Sequence, residues 1–586
     1  MASKTWDKKD LLPQIDSKGY NSLLNDLENH VKHIEAYKTR LKPNFPPQEF
    51  MNVLKTKEKI SLICNKLHSY AYLWFSEDTS NSAAKNFMSK IDEIVVDVDN
   101  RIMFFSLWFK SLDEENASNI INGVDREYKY YLQYARLLKK YILSEPEEKI
   151  LNIKGITSSA ALIKIYDIIT SAFTFTLKIG GKTQILSREQ LADYVKHPKA
   201  NVRKAAYQAL YDVYSKNQDV LNEVYRNIIL DWKNEGINLR KFESPMTIRN
   251  KSNDISDKSI EVLIKVCKKN KNLFQEYFKL KTKLCKLKVM NRYDVYVPYG
   301  NYDKKYSYED AQKLVFDSYY DYSPEMYKLA KKIVDEKHID YLLRKNKMGG
   351  AYCMDVGPGI TPYVLLNFNS KLRDVFTMAH ELGHGVHDLL TSKHSNLTAH
   401  PPLTLAETAS TFGEMLLFDK LMKESKDKNF KKYLLAHNLD DLYATTLRQI
   451  YFVDFEIKAH ELIAKGAGLE ELKKAYLEVL KEQFGNSVKI NEEFQYEWLS
   501  IPHIFHTPFY CYSYSFGNLL VLSLYEKYRE EGKSFVPKYL KILSYGGSEN
   551  SAKILKEINI DIEDEKFWQK GFDLIKEMID ELKKLV

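Results

Sequence analysis

Residues 380–384 combine residue types and a spacing that suit a bound metal ion. They read His380-Glu381-Leu382-Gly383-His384. Residues four apart lie on one face of an α-helix, so both imidazoles can point at the same ion. Glu381 is rotated by about 100° from His380 and can reach a water molecule at the ion without ligating the ion itself. The pattern predicts a zinc site that activates water, as in zinc peptidases.

The surrounding residues predict a helix with two different faces over about 373–390. One face is apolar and comprises Val375, Ala379, Leu382, Val386 and Leu389. The other face carries His380, His384 and a third histidine, His387, which we expect to support the ligands rather than to bind the ion. Gly383 and Gly385 each cost about 1 kcal/mol relative to Ala inside a helix. Their presence predicts that another backbone passes very close to His384.

A catalytic zinc ion needs a third protein ligand and an open position for water. Leu390 stands where metzincins have their third histidine, so that class is excluded. Glu407 is the best downstream candidate, and Glu414, two helical turns later, could hydrogen-bond a ligand imidazole. Thr404-Leu-Ala-Glu407 is also a capping-box pattern, in which Glu407 would only bind a backbone N–H. The spacing alone leaves both interpretations open.

The stretch 501–514 is dense in histidine and tyrosine. It could be an aromatic core segment whose hydroxyls find local partners. Alternatively, one histidine and one or two tyrosines face the zinc and donate hydrogen bonds to the oxyanion of a tetrahedral intermediate. The candidates are His503, His506, Tyr510, Tyr512 and Tyr514.

Gly349-Gly350-Ala351-Tyr352 offers a segment with little side chain, where an extended peptide could pair through backbone hydrogen bonds. A tight turn entering the metal-site helix is an equally good interpretation.

The composition limits the class of protein. The chain has 586 residues and a net charge of +8 without a compact basic block, so we expect neither nucleic-acid nor membrane partners. Five cysteines without a C-x-x-C pair, a polar N-terminus and the lack of a long apolar run predict a cytoplasmic protein.

The scarcity of glycine and proline predicts a mostly helical fold. We expect a small hairpin at residues 173–185 and two short strands at 348–369 next to the metal-site helix. After residue 405 we expect helices to the C-terminus, interrupted at 501–516. The predicted division separates an N-terminal helical region, 1–195, from a catalytic region, 196–586.

The metal motifs, His380-Glu-Leu-Gly-His-Gly-Val-His387 and Leu405-Ala-Glu-Thr-Ala-Ser-Thr-Phe-Gly-Glu414, resemble the oligoendopeptidase F branch of the M3 (thimet oligopeptidase-like) metallopeptidases. Gly350-Ala-Tyr-Cys353 and Pro508-Phe-Tyr510 are similar to stretches of the same branch. The resemblance implies an elongated helical body with a deep channel, one Zn²⁺ per chain, and endopeptidase activity on short oligopeptides. It also implies Glu407 as third ligand and a histidine and a tyrosine, for which we favour His503 and Tyr510, as oxyanion donors.

Two other functions fit the same residues. A helical metallocarboxypeptidase uses the same H-E-x-x-H pattern, and a non-catalytic peptide-binding protein could share the fold. The intact Glu381 argues against the second, because a protein without catalysis has no need of a general base. The oligomeric state stays open.

Overall fold

Helices make up most of the chain, as its few glycines and prolines and its long segments of apolar residues at helical spacing predict. The computed structural model describes residues 6–15, 17–300 and 302–586. The helices of its first half are α1 (Lys18–Glu35), α2 (Pro47–Glu77), α3 (Ser82–Ser111), α4 (Glu114–Gly123), α5 (Arg126–Leu137), α6 (Glu145–Gly155), α7 (Ser159–Ser171), α8 (Arg188–Val195), α9 (Ala200–Lys216), α10 (Gln218–Lys233), α11 (Pro245–Ser252), α12 (Asp257–Lys269) and α13 (Lys271–Leu284).

The second half continues in the same way. Its helices are α14 (Tyr308–Tyr322), α15 (Pro324–Asp335), α16 (Leu372–Thr391), α17 (Leu403–Ala406), α18 (Thr408–Glu424), α19 (Lys428–Leu442), α20 (Arg448–Ala464), α21 (Leu469–Phe484), α22 (Pro502–His506), α23 (Tyr512–Glu531), α24 (Val536–Leu543), α25 (Ser551–Lys556) and α26 (Glu565–Leu585). The strands are β1 (Phe175–Ile179), β2 (Lys182–Leu186), β3 (Ile339–Asp340), β4 (Tyr352–Met354) and β5 (Tyr363–Leu365). No helix in these described ranges is long and apolar enough to cross a membrane.

The chain folds into two compact units, each assembled from three segments. The first unit contains residues up to Lys139, Asp303–Lys423 and Lys527–Ile560. The second contains Lys140–Tyr302, Glu424–Glu526 and Asp561–Val586. The division of the sequence at residue 195 stays a prediction.

The first unit contains the predicted N-terminal bundle and the metal-site helix. Apolar residues at helical spacing on α1, including Leu27, Val31 and Ile34, are buried against α2 and α3. Burial of each such side chain contributes about 1.5–3 kcal/mol. Further along the chain, α14 and α15 pack on α16.

A three-stranded sheet also belongs to the first unit, with the strand order β3-β5-β4. Strand β4 is antiparallel to β5, and β3 is parallel to it. The sheet packs against α16, so the two predicted strands beside the metal-site helix are confirmed. Strand β4 lies at the edge of this sheet. It begins at Tyr352, the last residue of the segment predicted to pair with a peptide, Gly349-Gly350-Ala351-Tyr352, which is called the predicted substrate segment below.

The second unit contains the predicted hairpin, β1 paired with β2. Gly180 and Gly181 both have positive φ, 56° and 76°, as a two-residue hairpin turn requires. The predicted interruption at 501–516 is shorter than expected. Pro502 is the first residue of α22, a position where proline suits a helix, and only residues 507–511 separate α22 from α23.

Candidate active site

Helix α16 carries the H-E-x-x-H residues and has the two faces that its sequence predicts. Its N-terminus is fixed by Asp374, whose carboxylate accepts hydrogen bonds from the backbone N–H groups of Asn369 and Lys371, both at 2.9 Å. Val375, Ala379, Leu382 and Val386 are completely buried. The histidines therefore have a rigid support on the opposite side of the same helix.

Two glycines let α16 and α18 cross at very short distance. A Cβ atom on Gly383 would lie 2.6 Å from the Ala409 carbonyl oxygen. A Cβ atom on Gly413, in α18, would lie 3.0 Å from the Ala379 carbonyl oxygen. The close backbone predicted at Gly383 is thus confirmed, and it is the start of α18. Gly385 is different, because its nearest neighbour is the side chain of Ile333.

The crossing brings together three atoms that could hold a metal ion. Nε2 of His380 and Nε2 of His384 are 3.2 Å apart, and each lies 3.3 Å from Oε2 of Glu407. Tetrahedral zinc with ligand distances of about 2.0–2.1 Å separates its ligand atoms by about 3.3–3.4 Å. The triangle therefore has the size and the His₂Glu chemistry that a zinc ion requires, with one side left for water or substrate.

Glu407 does not form a capping box. Helix α17 begins at Leu403 after Pro402, so Thr404 lies inside the helix and not at its N-cap. The Thr404 hydroxyl has no hydrogen-bond partner within the described residues. Glu407 is the C-cap residue that follows α17, and its Oε2 accepts a hydrogen bond from the Ser410 hydroxyl at 2.8 Å. The capping-box interpretation is wrong because the helix starts too early for it.

The electrostatics of this cluster favour a positive charge between its members. Burial acts to lower the pKa of His380, but hydrogen bonds to Glu407 and Glu414 outweigh it and raise that pKa to about 10. Burial acts to raise the pKa of Glu407, but the two histidines lower it far below its usual range. Nδ1 of His380 lies 2.6 Å from Oε1 of Glu414, an arrangement that leaves Nε2 directed at the other ligands.

Glu381 and His387 occupy different environments on α16. Burial raises the pKa of the Glu381 carboxyl, which is only 6% exposed and lines the same pocket as the two histidines. For His387, burial disfavours the charged form in the same way and so lowers the pKa, to about 4. The His387 imidazole forms hydrogen bonds with the backbone at Leu543 and at Ala406, the residue before Glu407.

A pocket of about 330 Å³ opens beside the ligand triangle. All its lining residues belong to the first unit: Ala351, Tyr352, Cys353, Asp355, His380, Glu381, His384, Asp388 and Glu407. Of the predicted substrate segment, Ala351 and Tyr352 line the pocket. Gly350 precedes them with φ +81°, and its carbonyl accepts a hydrogen bond from Asn367 at 2.8 Å.

The predicted histidine and tyrosine residues lie in the second unit, where three of them form a cluster. The rings of His503 and Tyr510 are nearly parallel at 6.4 Å, and the Tyr514 hydroxyl lies 3.3 Å from Nε2 of His503. His506 instead pairs with an aspartate at 2.7 Å, and Tyr512 is fully buried with its hydroxyl bound by an asparagine. Their roles at the metal stay predictions.

Several residues around the site gave no usable signal in the sequence. The Tyr319 hydroxyl donates to the Ala379 carbonyl from the neighbouring helix α14. The Cys353 thiol lies 3.6 Å from the Asp388 carboxylate, although the two residues are 35 positions apart in the sequence. Contacts of this kind depend on helix packing. The contact of Ser410 with Glu407 is different, because Ser410 lies three residues after Glu407 on a predicted helix and that spacing could have indicated the contact.

Comparison with known proteins gives the same assignment over nearly the whole chain. The profile of Peptidase family M3 matches residues 194–574, and that of Oligopeptidase F matches residues 108–175. An oligoendopeptidase F homolog of Borreliella burgdorferi is 29% identical, with 99% of this chain and 98% of the relative covered. The chromosomal oligoendopeptidase F of Lactococcus lactis is 28% identical, with coverages of 96% and 94%.

Solved structures share the fold. The crystal structure of a Chlamydophila abortus protein superimposes with a TM-score of 0.90 at 26% identity, covering 100% of this chain and 98% of the other. The oligoendopeptidase F structure from Enterococcus faecium gives a TM-score of 0.72 at 21% identity, with coverages of 96% and 98%.

Fold, site and comparisons together define a helical metalloendopeptidase. The chain belongs to Peptidase family M3, and within it to the oligoendopeptidase F branch.

Proposed function

We propose that this protein hydrolyses internal bonds of short peptides with one zinc ion per chain, held by His380, His384 and Glu407. The equilateral arrangement of their three ligand atoms, with sides of 3.2–3.3 Å, is the observation that supports the proposal most directly. Bound zinc would lower the pKa of a coordinated water to about 7 and polarise the scissile carbonyl.

Glu381 is the general base of this proposal. It neighbours His380 on α16, it lines the pocket, and burial raises the pKa of its carboxyl above the usual value, which makes it a stronger base. Its carboxylate takes a proton from the attacking water and passes it to the leaving amine.

Glu414, Ser410 and His387 hold the ligands in place. Glu414 fixes the ring of His380 through Nδ1, and Ser410 orients the Glu407 carboxylate. Outer hydrogen bonds of this kind are worth about 10- to 100-fold in metal affinity.

The substrate contacts come from two places. Ala351 and Tyr352 line the pocket where the edge strand β4 begins, and their backbone would pair with an extended peptide. Gly350 precedes them in a bend, with φ +81°, and would direct the chain into this segment.

We also propose that His503 and Tyr510 donate hydrogen bonds to the oxyanion, with His506 and Tyr514 as neighbouring substrate contacts. Tyr512, the remaining candidate, is fully buried and accepts a hydrogen bond from Asn253, so its position favours an internal contact of this segment. The clustering of His503, Tyr510 and Tyr514 supports a shared role.

We further propose that the enzyme works in the cytoplasm. All five cysteines lie in the described ranges and carry free thiols, as a reducing compartment allows.

The decisive experiment is Glu381→Gln, which keeps the shape of the side chain and removes its basic oxygen. The variant should retain one zinc ion per chain but lose cleavage of a quenched-fluorescent oligopeptide by at least about 100-fold. Asp374→Asn is the matched control, because it removes a carboxylate from the same helix, keeps the acceptor oxygen of the cap and lies outside the pocket.

Mass spectrometry of the products completes the test. Cleavage at internal bonds supports the proposal, whereas release of single C-terminal residues would indicate a carboxypeptidase. Binding without cleavage by the zinc-loaded wild type would indicate a non-catalytic protein. Full turnover by Glu381→Gln would remove Glu381 from the mechanism.

A further inference from the structure

The backbone between α22 and α23 makes a strained turn just before Tyr510. The Tyr510 N–H donates to the Thr507 carbonyl at 3.1 Å, which closes a four-residue β-turn with Pro508 and Phe509 at its centre. Proline fixes a negative φ, whereas Phe509 has φ +59°. This combination defines a type II turn, whose third position favours glycine. A phenylalanine there needs contacts that hold it in place.

Two polar side chains bind the central peptide of this turn, one at each end. The Phe509 N–H donates to Oε1 of Glu456 at 2.7 Å. The Pro508 carbonyl, which belongs to the same peptide, accepts from Nε of Arg249 at 3.2 Å. Type I and type II turns differ by roughly half a rotation of this peptide, so a flip to the less strained type I turn would break both contacts.

The two side chains are themselves well anchored. Glu456 projects from α20 and is completely buried, and Arg249 projects from α11 with its guanidinium 5.7 Å from the centre of the Trp232 ring. His460, one turn after Glu456, packs on the Phe509 ring at 4.7 Å. Residues of α11 and α20 therefore hold the backbone of the turn through hydrogen bonds. Helix α20 also holds the Phe509 side chain, through His460.

The turn determines how Tyr510 lies against its neighbours. Tyr510 is the last residue of the turn, and its carbonyl accepts from the Ser513 N–H at 2.9 Å at the start of α23. Its ring packs on Tyr514 at 5.3 Å and runs parallel to His503 at the start of α22. A flipped peptide would turn the chain that enters Tyr510 and alter its distance from His503.

We propose that Glu456 and Arg249 are positioning residues for Tyr510, because together they lock the Pro508–Phe509 peptide in the type II form. The inference rests on the proposed oxyanion role of Tyr510 for its catalytic consequence. The conformation of the Pro508–Phe509 peptide can be measured separately from catalysis.

The test compares Glu456→Ala with Glu456→Gln in the zinc-loaded full chain. Glutamine keeps an oxygen that can accept from the Phe509 N–H, and alanine does not. Glu456→Ala should lower kcat by about 10-fold or more with little change in KM, since loss of one oxyanion donor costs about 10²–10³ in kcat. Glu456→Gln should restore most of that loss.

A double-mutant cycle with Tyr510→Phe separates positioning from general destabilisation. If Glu456 acts through the Tyr510 hydroxyl, Glu456→Ala should cause little further loss of kcat in the Tyr510→Phe background. Equal losses in both backgrounds would overturn the proposal. Arg249→Met, which keeps an apolar stem but no N–H donor, should show the same dependence and serves as the second variant if Glu456→Ala does not fold.

The hydrogen-exchange rate of the Phe509 amide measures how firmly Glu456 holds this peptide, and the measurement does not depend on any role in catalysis. Exchange should be faster in Glu456→Ala than in wild type and near wild type in Glu456→Gln; equal protection in all three would overturn the lock. If Tyr510→Phe keeps wild-type kcat while the exchange pattern holds, the oxyanion role of Tyr510 fails and the lock stands.

Discussion

Gly383→Ala is the substitution that tests most directly how the site is assembled. The new Cβ would lie 2.6 Å from both the carbonyl oxygen of Ala409 and Cα of Ser410. An ordinary van der Waals contact needs at least 3.4 Å, so the start of α18 must move away by roughly 0.8 Å. Glu407 lies two residues before Ala409, so its carboxylate moves with that backbone.

The size of the effect follows from this displacement. A shift of about 0.8 Å far exceeds the ±0.2 Å that a zinc site tolerates, so zinc affinity should fall by at least about tenfold. The effect on stability should be small. Overpacking costs about 1–3 kcal/mol, but alanine gains about 1 kcal/mol over glycine inside a helix, which leaves a net loss of roughly 0–2 kcal/mol.

Competition with a chromophoric chelator would measure zinc affinity, and urea unfolding of the metal-free protein would measure stability. Gly155→Ala is the matched control, because a Cβ there meets nothing within 4 Å and Gly155 ends a helix of the second unit. Wild-type zinc affinity and peptidase activity in Gly383→Ala would refute the reasoning, since the close crossing would then not position Glu407.

The other predictions concern the ligand, its support and a buried histidine. Glu407→Ala should abolish stoichiometric zinc binding in metal analysis, and one tightly bound ion in that variant would contradict its role. Glu414→Ala should weaken zinc binding by about 10- to 100-fold, whereas Glu414→Gln, which keeps an acceptor for Nδ1 of His380, should weaken it less; equal affinities would argue against this support. Burial lowers the pKa of His460 to about 3, so below about pH 6.5 the unfolded chain binds a proton there that the native protein does not, and stability falls as the pH falls toward 3. Between pH 7 and pH 5, the free energy of unfolding measured in urea should therefore fall by about 2 kcal/mol more in the wild type than in His460→Leu. If the two proteins lose the same amount, the native protein protonates His460 as readily as the unfolded chain does.

Much of the local structure could be predicted because it depends on neighbours in the chain. The helix over residues 372–391 and its two faces follow from apolar periodicity, and the Gly180-Gly181 turn follows from the φ angles that only glycine adopts easily. The H-E-x-x-H spacing likewise determines that His380 and His384 share one face of a helix.

The choice between competing patterns needed the tertiary structure. Thr404 to Glu407 matched a capping box as well as a ligand segment, and only the helix start at Leu403 excluded the first. The interruption at 501–516 was overestimated because Pro502 and Pro508 look alike in the sequence. The first begins a helix and the second lies in a turn.

The sequence by itself determined the proposed reaction chemistry, because two histidines and a glutamate within one helical turn carry that chemistry locally. The tertiary structure decided how the site closes. The contact of Gly383 with the start of α18 brings Glu407 to 3.3 Å from both histidines, across more than 20 residues of chain. Side chains such as Cys353 and Asp388 join the pocket for the same reason. Such contacts arise from the packing of elements distant in sequence, and residue spacing does not encode that packing.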